Sequence, residues 1–152
     1  MEITVEQLIE QLNKVLAETF AFYLKTQFFH WNVEGKDFYA DHTFFQTIYE
    51  EVYGAIDPIA EHIRTLDGYA AGSFTRYAQL SSIKDQVQVV QGLEQFQILN
   101  SDNEKLKVSL NDARRVADKF NKVGLSNFLQ DRIDAHEKHG WMLRATSKRE
   151  NA

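Results

Sequence analysis

From Phe38 to Leu66 the side chains Phe38, His42, Phe45, Tyr49, Val52, Ile56, Ile59, Ile63 and Leu66 follow one another at alternating spacings of four and three. That is the period of one face of an α-helix, and a helix over this span is roughly 40 Å long. A stripe of that length can only be covered by other helices of similar length. The rest of the chain supplies them. Thr4-Val5-Glu6-Gln7 has the form of a capping box, and Val5, Leu8, Leu12, Val15, Leu16, Phe20, Tyr23, Leu24, Phe28 and Trp31 continue a helical period, predicting a first helix that ends near Asn32. A third helix is expected from about Leu93 to Asn121 on Leu99, Leu106, Leu110, Ala113, Ala117 and Phe120. Gly124 is then expected to turn the chain and Ser126 to cap a fourth helix marked by Phe128, Leu129, Ile133, Trp141 and Leu143. Between the second and third helices, residues 67–82 read as a long connection holding one small helix capped by Ser73. Pro58, the single proline, interrupts the second stripe and predicts a kink beside Asp57.

The expected fold is therefore all-α, a four-helix bundle of ferritin-like topology with one long crossover, and residues 1–152 form one domain. Seven glycines and one proline are too few for a turn-rich sandwich or barrel. Cysteine is absent, which removes disulfides, thiolate metal sites and a cysteine nucleophile and fits a reducing cytoplasm. No stretch has the apolar length of a membrane span or the form of a secretion signal, so the chain is read as soluble and intracellular, with no membrane partner. The net charge of −5 opposes binding to polyanions, and the C-terminus offers only Lys148 and Arg149, so DNA binding is not expected.

The residues that carry chemistry lie between His30 and Glu61. His30 precedes the turn-like Val33-Glu34-Gly35-Lys36-Asp37 and His42 follows it at about equal distance, so a helical hairpin is expected to bring the two imidazoles to similar depth on adjacent helices. Asp57 and Glu61, spaced i and i+4, share one helix face. Along that helix His42 and Asp57 are separated by about 22 Å, so one chain cannot close a site around all four groups. Two copies packed antiparallel about a twofold axis would bring the histidines of one to the carboxylates of the other, twice per pair.

The segments FHWNVEGKDFYADH, DPIAEHIRTLDGYAAGSF and HEKHGWMLR resemble the Dps proteins, or mini-ferritins, and the likeness spans nearly the whole chain. The resemblance implies a dodecameric shell that oxidises Fe(II) with peroxide or dioxygen at dinuclear centres between subunits and stores ferric mineral. It also implies that His30, His42, Asp57 and Glu61 are the metal ligands and catalytic groups, and that Trp31 lies beside the centre. Nitrogen and hard carboxylate oxygen together suit non-haem iron. Four features depart from the family. Gln46 stands one turn after His42 where an acidic residue is usual, and His62 stands after the site glutamate where arginine is common. His62 lies about 140° around the helix from Asp57, the place of an interface or surface histidine, with a role as an extra metal ligand as the alternative. Residues 121–127, with Lys122 and Asn127, replace the acidic pore sequence of the family, and its lysine-rich tail is missing. His136 and His139, at i and i+3, form a further possible chelate.

Competing functions are a shell whose modified site is taken by zinc, a structural DNA-protecting shell, and a conventional ferritin with its centre inside one bundle. The last needs Glu-x-x-His motifs, and none occurs.

Overall fold

The computed structural model describes residues 2–150, with side chains for residues 2–148; the side chain of Arg149 falls outside them. Four long helices and one short one follow in the order α1 Val5–Asn32, α2 Phe38–Thr65, α3 Phe74–Leu80, α4 Leu93–Lys119 and α5 Val123–Glu150. The long helices form a bundle in which α1 packs on α2 and α4, α4 packs on α5, and α3 lies against α1. Phe22, Phe29, Phe45, Ile48, Ile59, Phe96, Leu99 and Leu106 fill the interior, each with no more than 1% of its surface exposed.

The capping box at Thr4 forms in full: Gln7 N–H donates to Thr4 Oγ1 and Thr4 N–H to the Gln7 side chain. Two of the orphan N–H groups of the first turn are thereby satisfied. α1 ends at Asn32, the turn passes through Gly35 at φ +112°, and α2 begins at Phe38. α2 continues through Pro58 for two further turns. It stops in a Schellman arrangement, with Asp67 at φ 64° and Gly68 N–H donating to the Ile63 carbonyl at 3.2 Å. A Cβ on Gly68 would come within 2.7 Å of Ile9 Cγ2, so glycine lets this turn close on α1.

The crossover is held to α1 by polar side chains. Asn13 accepts from Ala71 N–H at 2.8 Å and donates to the Tyr69 carbonyl at 3.1 Å, while the buried Glu18 carboxylate accepts from both the amide and the hydroxyl of Ser82. Ser73 caps α3 as its sequence predicts.

One boundary differs from expectation. The turn between α4 and α5 is made by Asn121, not Gly124: Asn121 takes φ 54° and Lys122 N–H donates to the Ala117 carbonyl at 3.0 Å. Asparagine tolerates this left-handed position, so the helix already restarts at Val123 and contains Gly124. Ser126 lies inside α5, and its hydroxyl donates to Asp118 at 2.5 Å across the turn.

Candidate metal centre

α1 and α2 present His30 and His42 to each other across their hairpin. The rings stack with centroids 3.7 Å apart and planes 14° from parallel. Each Nδ1 lies 2.6 Å from the other residue's backbone carbonyl, so Nδ1 carries the proton and donates. A neutral imidazole protonated at Nδ1 has its lone pair on Nε2, the form that binds a divalent metal, and the carbonyl bond fixes the ring orientation. Phe38 stacks on His42 at 4.9 Å and Tyr49 meets His30 edge-on at 5.0 Å, holding the pair between them. His30 is buried, with 6% of its surface exposed.

Asp57 and Glu61 lie further along α2 on its exposed face. Their side chains hydrogen-bond, and that bond together with their mutual repulsion raises the pKa of Glu61. The two carboxylates thus stand as a close like-charged pair on a solvent-facing face of α2. The histidine pair and the carboxylate pair do not meet within one chain: among the described residues no group of three or more His, Asp or Glu is placed to hold a metal ion.

Of the other positions singled out in the sequence, Trp31 is 59% exposed and lines a cavity of about 770 Å³ with Phe20, Leu24, Phe28 and Phe74. Gln46 is half-buried and its Nε2 donates to Glu50 Oε1 at 2.7 Å. Glu50 thus stands one turn beyond the family's acidic position, tethered by the amide that replaces it. His62 packs its ring on Phe128 of α5 with centroids 4.7 Å apart, and burial lowers its pKa.

His136 and His139 are in the bundle interior and already engaged. His136 Nδ1 pairs with Asn103 Oδ1 at 2.8 Å, Arg132 donates to His136 Nε2 at 3.2 Å, and His139 Nε2 bonds Glu51 at 2.7 Å. Arg132 also grips Glu51 through both terminal nitrogens, at 2.5 and 3.0 Å. Burial opposes the charge on Glu51, but His139 and Arg132 outweigh it and hold the carboxyl well below the ordinary carboxylate range. Burial, with the cationic Arg132 beside it, drives the pKa of His136 well down. The guanidinium thus occupies the place where a cation would sit, so the chelate that the i, i+3 spacing allowed is a structural network. The sequence reading did not find this network, nor the buried ion pair of Lys25 and Asp102 at 2.7 Å. Charged residues at bundle-lining positions were the available signal.

A bundle of four long helices with one long crossover is the ferritin-like class, and residues 9–151 match the family described as "Ferritin-like domain". The chain is 33% identical to the DNA protection during starvation protein of Brevibacillus brevis, covering 95% of this chain and 98% of that one. It is 35% identical to a low temperature-induced protein of Nostoc sp. over 90% of this chain and 78% of that one. The crystal structure of a Dps protein from Vibrio cholerae O1, described as one of the ferritin-like diiron-carboxylate proteins, superposes with a TM-score of 0.89 at 33% identity, covering 93% of this chain and 89% of that one. A Dps protein from Bacillus brevis does so at 0.87 and 31% identity, covering 95% and 98%. The chain belongs to the Dps family of ferritin-like proteins. No helix among its described residues is long and apolar enough to cross a membrane.

Proposed function

We propose that this protein is a cytoplasmic iron-detoxifying ferroxidase, a dodecameric shell that oxidises Fe(II) at centres shared between subunits and retains the ferric product. The observation that carries the reading is the stacked histidine pair. Its Nδ1 protons are both committed to backbone carbonyls, leaving two Nε2 lone pairs side by side at the end of the α1–α2 hairpin. Asp57 and Glu61 of a second copy supply the carboxylate oxygens, one of them bridging, in a ligand set that suits ferrous iron.

Each part of the chain has a task in this scheme. His30 and His42 bind and orient one Fe(II). Asp57 and Glu61, whose mutual repulsion raises the Glu61 pKa, exchange that repulsion for attraction to a divalent cation. Gln46, tied to Glu50, leaves the second position one negative charge short of the family pattern. His62 stands outside the ligand set, since joining it would require leaving Phe128. Resemblance to the "diiron-carboxylate" relative supports the metal.

The test is an anaerobic Fe(II) titration of the assembled protein followed by peroxide or dioxygen, read as ferric absorbance. The proposal expects oxidation far above the protein-free rate, abolished by His30→Ala/His42→Ala. A wild type no faster than free Fe(II) would contradict it.

A further inference from the structure

The face of α2 that carries His42 carries Gln46 one turn later and Glu50 one turn after that. Glu50 and Glu51 are adjacent acids with opposite fates. Glu51 turns into the bundle, where Arg132 and His139 hold it, whereas Glu50 stays on the exposed face and accepts from Gln46 Nε2 at 2.7 Å. That bond decides which end of the Gln46 amide is free. A carboxylate only accepts, so the group it holds must be the amide nitrogen, and the amide cannot turn over without setting two oxygens against each other. The Gln46 oxygen therefore points away from Glu50, and no donor meets it among the hydrogen bonds of the described residues.

An amide binds a cation through its oxygen, since its nitrogen would turn N–H groups toward the positive charge. A glutamine without a neighbour can present either end. Glu50 makes the choice for Gln46, and a charge-assisted bond at the nitrogen polarises the amide so that its oxygen becomes the more negative. Gln46 is about 6 Å along the helix from His42, within reach of a second ion bridged to the one His42 binds.

We infer that Glu50 is a positioning residue for the second iron, fixing the Gln46 amide with its oxygen presented to Fe(II) as a neutral donor at the weaker of the two metal positions. The inference rests on the ligand set proposed above. Two effects of Glu50 differ in what they depend on. A negative charge near a cation attracts it whatever stands at position 46, whereas a positioning group matters only while position 46 is an amide that can turn. A carboxylate at that position has two equivalent oxygens and nothing to orient.

The test is anaerobic calorimetry of Fe(II) binding to the assembled protein, read as two events per site. Glu50→Gln can both donate and accept, so it no longer selects an orientation. It should weaken the second event about tenfold, the lower end of what the outer partners of metal ligands contribute, and leave the first unchanged. Glu50→Asp keeps an acceptor-only carboxylate at the i, i+4 spacing and should retain most of the wild-type affinity. In the Gln46→Asp background the Glu50→Gln change should cause no weakening. A second event weakened equally in both backgrounds would make Glu50 a general field charge and overturn the positioning role. So would a second event untouched by Glu50→Gln in the wild-type background, which would leave an ordinary surface pair. If the wild type and His30→Ala/His42→Ala bind Fe(II) alike, or neither binds it, the proposed ligand set falls and the positioning role with it.

Discussion

Gln46 is where a single side chain most alters the proposed chemistry. Its amide donates to Glu50 at 2.7 Å and brings no negative charge to the metal. Two divalent cations facing one carboxylate fewer should bind stepwise, the first held by His30, His42 and a bridging Glu61, the second loosely. Gln46→Asp should tighten the second anaerobic binding event about tenfold, roughly 1.4 kcal/mol, by calorimetry. Two equal tight irons in the wild type, unchanged by the substitution, would show that Gln46 only lines the site. A second residue-scale expectation concerns His136. Burial and Arg132 depress its folded pKa below the unfolded value near 6.5, so the unfolded chain binds the extra proton first as pH falls. The stability His136 contributes is present above about pH 6.5 and is lost below it. His62 acts in the same direction. The urea midpoint at fixed protomer concentration should therefore drop between pH 7 and 5.5, and His136→Gln should flatten that drop; an unchanged slope would contradict it.

Among the elements, α1 carries the greatest share of polar burial. Lys25 and Asp102 pair at 2.7 Å with 6% of each side chain exposed, and burial keeps the Asp102 pKa raised even beside the ammonium. Lys25→Met should destabilise the protein by about 3–5 kcal/mol because it strands a buried carboxylate, whereas Lys25→Met/Asp102→Leu should recover most of that. Chemical denaturation of the two variants decides the matter; a double variant as unstable as the single one would mean that the pair is needed for packing. The helices themselves were legible because their apolar periods are long and their caps are local: the Thr4 box and Ser73 form as written. The α4–α5 turn was misplaced because glycine is the usual left-handed residue, and here asparagine takes that role at Asn121. That the two histidines lie at similar depth on adjacent helices was legible from their symmetric placement about the turn, whereas the stacking of their rings was not. The engagement of His136 and His139 was not, since spacing on one helix says nothing of Asn103 on α4 or Glu51 on α2, which satisfy them.

For the whole molecule, charge decides what the surface attracts. With a net charge of −5 per chain, the assembled protein should leave duplex DNA unretarded in a gel at physiological salt without divalent metal. Tight, salt-sensitive retardation would contradict this, and would place the function nearer to the names of its DNA-protecting relatives. The central claim is that the metal site exists only between copies, because α2 holds His42 and Asp57 about 22 Å apart along one axis. Co-assembly of His30→Ala/His42→Ala chains with Asp57→Ala/Glu61→Ala chains tests it most directly, since each variant alone has no complete site and a mixed twofold pair regenerates one. The expected result is Fe(II) oxidation restored in the mixed shells to a substantial fraction of the wild-type rate; mixed shells no faster than either pure variant would contradict the shared site.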